Sequence, residues 1–128
     1  MTSIDKVSIA LSEWAFNVAK GVLPQLRISP NSTIGHLMGA IGADPLKYSI
    51  WNELGFLMEP VIQTFVTPIV GKYMQGIPDE MVKDIAVKFA DAFISEARQK
   101  GSVNLLGMEM KEDAFTDLKE IILSKFEE

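Results

Sequence analysis

The chain's only histidine, His36, and a carboxylate set in apolar sequence, Glu59, are the residues with most scope for chemistry. Among apolar neighbours a carboxylate is driven towards its neutral form, and a raised pKa is what a general acid or base near neutral pH needs. Glu53 lies six residues before it. The plainer reading puts both acids at a helix edge, reaching water. A lone imidazole between Gly35 and Leu37 is likewise expected to be packed or half-exposed. An enzyme using Glu59 and His36 is the third of three readings, because no spacing brings the two together.

Other chemistry is excluded by residue type. One histidine cannot supply a paired-His metal site or the two Glu-x-x-His motifs of a carboxylate di-iron bundle. The absence of cysteine removes disulfides, thiolate zinc sites and a cysteine nucleophile. Gly71-Lys72 lacks the upstream glycine and the following Ser or Thr of a phosphate-binding loop. No Gly-x-Ser-x-Gly, His-Glu-x-x-His or EF-hand pattern occurs. No catalytic residue, metal or cofactor is expected.

Two readings without catalysis remain. In the first, this is a helical interaction or structural protein that self-associates or joins a larger assembly. Its contact residues are then the apolar ones with no obvious place in a core: Ile9, Phe16 and Leu23, and Val103, Leu105, Met108 and Met110. In the second, a small apolar molecule or acyl chain sits beside a helix bent at Pro60 and Pro68. Trp51, Phe56, Met58 and Phe65 line that pocket, and Glu59 or Gln63 is its polar handle. The methionines Met38, Met58, Met74, Met81, Met108 and Met110 could line an adaptable groove, but core filling is their commoner use.

The elements that position these residues follow from periodicity. Ile4, Val7, Leu11, Trp14, Val18 and Val22 recur at helical spacing, with Ser3 as N-cap and Gly21 and Pro24 closing the helix. Ile9, Phe16 and Leu23 draw a second apolar line almost opposite, so this helix should be sandwiched between layers or shared with another subunit. A short helix follows over 33–41, where Asn31-Ser32-Thr33 reads as a turn and cap rather than a glycosylation site. Its Gly35, Gly39 and Ala43 stand at four-residue spacing, which suits tight packing or a fraying helix. Asp44-Pro45 starts the next helix, apolar almost all round to Met74 and hence expected at the centre.

Gly76-Ile77-Pro78 breaks the chain. A helix with acids at its N-terminus then runs to about Gln99, burying Val82, Ile85, Ala86, Phe89, Phe93 and Ala97, with Gly101 as C-cap. Val103 to Met110 is an extended arm or short strand with no evident partner strand. A last helix, 112–126, buries Phe115, Leu118, Ile122 and Phe126. The fold predicted is all-α: one domain, 1–128, of five to six helices around a Pro-kinked central helix at about 45–75, with the arm at 103–110.

Bulk properties narrow the partners. The 128 residues suffice to bury roughly two-thirds of the unfolded surface. A mean hydropathy of +0.17 points to more apolar surface than one small core hides. Acids and bases balance as far as Gly76, and the net charge of −5 arises wholly from Ile77 onward. With no basic stripe, nucleic acid and anionic membrane surfaces are disfavoured. Glu59 interrupts the best transmembrane window, and Asp5 and Glu13 interrupt a signal-peptide core, so a cytoplasmic location is expected.

Overall fold

The first helix begins one residue before its apolar pattern implies. In a computed structural model of the protein, α1 spans Ser3–Val22, and Thr2 rather than Ser3 caps it. Thr2 Oγ1 accepts the Asp5 N–H at 3.1 Å, and Asp5 Oδ2 accepts the Thr2 N–H at 3.1 Å. These reciprocal bonds satisfy donors that a helix start leaves over. The structure describes residues 1–22, 31–44, 50–105 and 107–127, and of 22, 34 and 50–58 the backbone alone. Leu23, Pro24, Pro45 and the side chains of Trp51, Glu53, Phe56 and Met58 therefore lie outside the described residues.

The second helix, α2 (Thr33–Ala40), starts where Ser32 Oγ accepts the Gly35 N–H at 3.0 Å. It closes with Ala43 N–H on the Met38 carbonyl at 2.8 Å and Gly42 N–H on the Gly39 carbonyl at 3.1 Å. A Cβ added at Gly39 would meet open space, so the Gly35-Gly39-Ala43 spacing marks no close approach there.

One helix, α3 (Ile50–Tyr73), runs through both Pro60 and Pro68. Each proline removes a backbone donor. The Thr64 hydroxyl donates to the Pro60 carbonyl at 2.8 Å between them. After the turn at 74–76 comes α4 (Asp79–Lys100), ended by Gly101, whose φ of +85° is a left-handed cap that any Cβ would disfavour.

The arm at 103–110 finds its missing strand in itself. β1 (Val103–Leu105) pairs antiparallel with β2 (Met108–Met110), with Val103 opposite Met110 and Leu105 opposite Met108. Gly107, at φ +82°, supplies the reversal, and Asn104 Oδ1 accepts its N–H at 3.1 Å. The last helix, α5, spans Glu112–Glu127.

The fold is all-α apart from this hairpin, as its periodicity predicts, but α1 rather than α3 is the hub. Its two apolar lines let it pack against α3 on one side and α4 and α5 on the other. Val7 and Ala10 are buried there with Val70, Met74, Val82, Ala86, Ala90, Leu118 and Ile122. The buried row of α4 is Val82, Ala86, Ala90, Ile94 and Ala97, rotated from the expected one. Its alanines face inward because small side chains let neighbouring helices approach closely. Phe89 is consequently exposed, and Ile85 and Phe93 are half-buried.

A second cluster closes the other end of the core. Phe115 is fully buried, with the Phe93 ring stacked 5.0 Å away and Trp14 at 6.1 Å. Trp14 Nε1–H donates to the Ala114 carbonyl at 2.8 Å, which ties α1 to α5. The hairpin packs over this cluster, Met110 inside it. Among the described residues no helix is long and apolar enough to cross a membrane.

Candidate functional site

α3 and α4 are joined by a short turn, yet both rest on α1 and hardly on each other. Between them runs an apolar groove of about 230 Å³. Its floor is core: Val7, Val70, Ala86 and Ala90. Its walls are Ile69 and Tyr73 from α3 and Phe89 from α4.

The local sequence explains why the groove is open. Ile62, Val66, Val70 and Met74, four residues apart, turn α3 towards the molecule, the last two buried and the first two half-buried. Val61, Phe65, Ile69 and Tyr73 form the next row, about 100° round the helix. That row is uncovered. Phe65, Ile69, Tyr73 and Phe89 are between 53 and 76 % exposed. The apolar stripe of α3 is thus wider than the surface that covers it. Isolated exposed apolar residues are ordinary, whereas adjacent rows of them are a mark of contact surfaces.

Expectations drawn from the sequence fare unevenly at this surface. The sequence pattern puts the surplus apolar area on α1 and the 103–110 arm; the structure exposes Leu37 and Ile41 at α2 and the larger share on α3 and α4. Ile9 and Phe16 are half-buried, because α3 lies along that side of α1. Lys20 Nζ stands 4.9 Å from the Phe16 ring centroid. Val103, Leu105 and Met108 are half-buried and Met110 is buried, because pairing turns the arm's apolar side onto Phe115 and Ile94. The side chains of these residues serve the chain's own core. Leu23 lies outside the described residues.

Of the expected ligand pocket, the side chains of Trp51, Phe56 and Met58 lie outside the described residues, and the described members divide between two surfaces. Glu59 and Gln63 line a groove against α1, with Ile9, Phe16 and Lys20. Phe65 instead lines a shallow surface depression with Pro60, Val61 and Thr64. Six residues separate Glu59 from Phe65 and two separate Gln63 from it, which sets Phe65 on another face of the helix. In the groove beside α1, the Ser12 hydroxyl is buried with no protein partner among the described residues.

Nor does an acid–base pair form. His36 is exposed on α2, Glu59 is exposed on α3, and no described contact joins them. Among the described residues no three His, Asp or Glu side chains are grouped to hold a metal ion. What the sequence missed, the α3–α4 groove, had one readable signal. Phe65, Ile69 and Tyr73 continue the apolar row of Val61 at four-residue spacing beside a second such row, and one core face needs only one of them. In comparisons with known protein families, curated proteins and solved structures, none matches this chain.

Proposed function

We propose that this protein is a non-enzymatic helical interaction module that self-associates through the α3–α4 groove. The observation that carries this reading is exposed Ile69 and Tyr73 facing exposed Phe89 across a floor of core residues, with Phe65 extending the exposed row one turn earlier on α3. Completing the burial of one such side chain contributes up to about 1.5–3 kcal/mol. A two-fold interface uses each residue twice. Together these terms are comparable with the roughly 4–15 kcal/mol cost of association.

The volume also favours side chains over a free ligand as occupant. At about 230 Å³ the groove falls below the roughly 300–1,000 Å³ of ordinary small-molecule sites. Its walls carry no charge, which suits a second uncharged surface of the same kind.

Sedimentation velocity over a concentration series tests the proposal. Wild-type protein is expected to shift from monomer to dimer or larger species as concentration rises, while Phe89→Glu stays monomeric with an unchanged helical circular dichroism spectrum. Phe89 is exposed in the monomer, so the variant keeps its fold. A wild-type chain that remains monomeric up to about 1 mM would sink the reading.

A further inference from the structure

A second groove, formed without α3, differs from the first in character. It lies between α1, the β1–β2 hairpin and α5 and measures about 610 Å³. Trp14, Val18, Met108 and Ile121 give it an apolar floor. Glu109, Asp113, Asp117 and Glu120 stand around it, with Lys111 as the one base among the lining residues.

Several other acids of the chain are paired, whereas these gather unpaired around one groove. Glu96 is paired with Lys100, Glu112 with Arg98, Asp91 with Lys119 and Glu13 with Lys125. None of the four groove acids makes a side-chain hydrogen bond or ion pair with a described residue. Asp113, Asp117 and Glu120 follow one another at spacings of four and three on α5, so they share one face of the helix and repel one another. The acid excess of the C-terminal half is concentrated in part on this rim. An apolar floor under an uncompensated negative rim is complementary to one kind of surface.

We infer that this groove docks a basic amphipathic segment of another protein, apolar side chains on Trp14 and Met108, and lysines or arginines against Asp113, Asp117 and Glu120. Charge complementarity of this kind steers encounter and selects the partner. A second copy of this chain does not supply such a segment: its lysines and arginines are scattered, with no two adjacent. Nucleic acid is repelled by the same rim.

The test uses the full chain carrying Trp51→Phe, so that Trp14 is the sole indole. The probe is a blocked peptide repeating Leu-Lys-Lys-Leu, titrated at about 0.1 M salt. Binding is expected to change Trp14 fluorescence and to weaken steeply as salt rises. Asp117→Asn with Glu120→Gln is expected to weaken it roughly ten-fold or more. Glu80→Gln with Asp84→Asn removes the same charge elsewhere and is expected to leave it unchanged, as is Phe89→Glu, which breaks the α3–α4 surface. Equal weakening by the two acid pairs would reduce the effect to net charge and overturn the site. So would equal binding of the peptide with glutamate in place of lysine, or a silent Trp14. Loss of binding in Phe89→Glu would move the peptide to the other groove and likewise overturn it.

Discussion

The Asp79 carboxylate, on the first residue of α4, also closes the start of α1. Its Oδ1 accepts the Ser3 N–H at 2.8 Å and its Oδ2 accepts the Ser3 hydroxyl at 3.0 Å. Two helix N-termini, separated by 76 residues of chain, thereby share one anion. Each presents unpaired N–H groups and a partial positive charge, so a carboxylate between them is favoured by both. The Ser3 N–H is the largest cause holding the Asp79 carboxyl below its ordinary 3.8, followed by the Ser3 hydroxyl, against a smaller effect of desolvation; Lys6 adds to the lowering.

A pH dependence follows from that direction. A carboxyl whose folded pKa is depressed adds stability that is present above its unfolded pKa, about 3.8, and is lost as pH falls through the lower folded value. Asp79→Asn is therefore expected to lower Tm by a steady amount from about pH 7 to pH 5. The gap to wild type should narrow below about pH 3.8. Thermal melts followed by circular dichroism measure it, and a gap of the same size at pH 3 as at pH 6 would show that the charge has no part in joining α1 to α4.

The aromatic cluster should carry a large share of stability for its size. Phe115 is fully buried between Phe93 and Trp14. Phe115→Ala is expected to cost about 3–5 kcal/mol in urea unfolding, lost burial and residual cavity together. Trp14→Phe removes the indole bond to the Ala114 carbonyl, which keeps its place in the α5 ladder, and is expected to cost about 0.5–1.5 kcal/mol. A Phe115→Ala variant as stable as wild type would mean that the core does not pack in this way.

Two glycines with equally open surroundings should respond in opposite directions. A Cβ at either Gly39 or Gly101 meets nothing within 4 Å. Gly39 is in a helix, so Gly39→Ala is expected to stabilise by about 0.5–1 kcal/mol. Gly101 has φ +85°, so Gly101→Ala is expected to destabilise by about 1–2 kcal/mol. Chemical denaturation of both variants decides it. A stabilising Gly101→Ala would contradict the left-handed cap.

Most helices could be read from periodicity because an amphipathic stripe and its caps are local properties. Ser32, Pro78 and Gly101 mark boundaries in sequence and in structure alike. The register of α4 could not be read so simply. Both Phe89 and Ala90 are apolar, and hydrophobicity favours burying the larger. Close helix packing selects the alanine and leaves the ring outside. The hairpin was hidden for a similar reason: three-residue strands give too little alternation to announce themselves, and the turn at Gly107 becomes a signal only once Asn104 is seen bonded to it.

Sequence by itself determined that the chain is helical, where α4 and α5 begin and end, that cysteine and paired-histidine chemistry is absent, and that apolar surface exceeds one small core. These are sums over residue types or patterns within a turn or two of chain. Only the tertiary structure decided where the excess lies. Ile9, Phe16 and the 103–110 segment were the local candidates, yet α3 and the hairpin's own pairing cover them, and the uncovered row falls on α3 and α4. Which of two apolar faces becomes core depends on what packs against it from distant parts of the chain, and no local pattern contains that information.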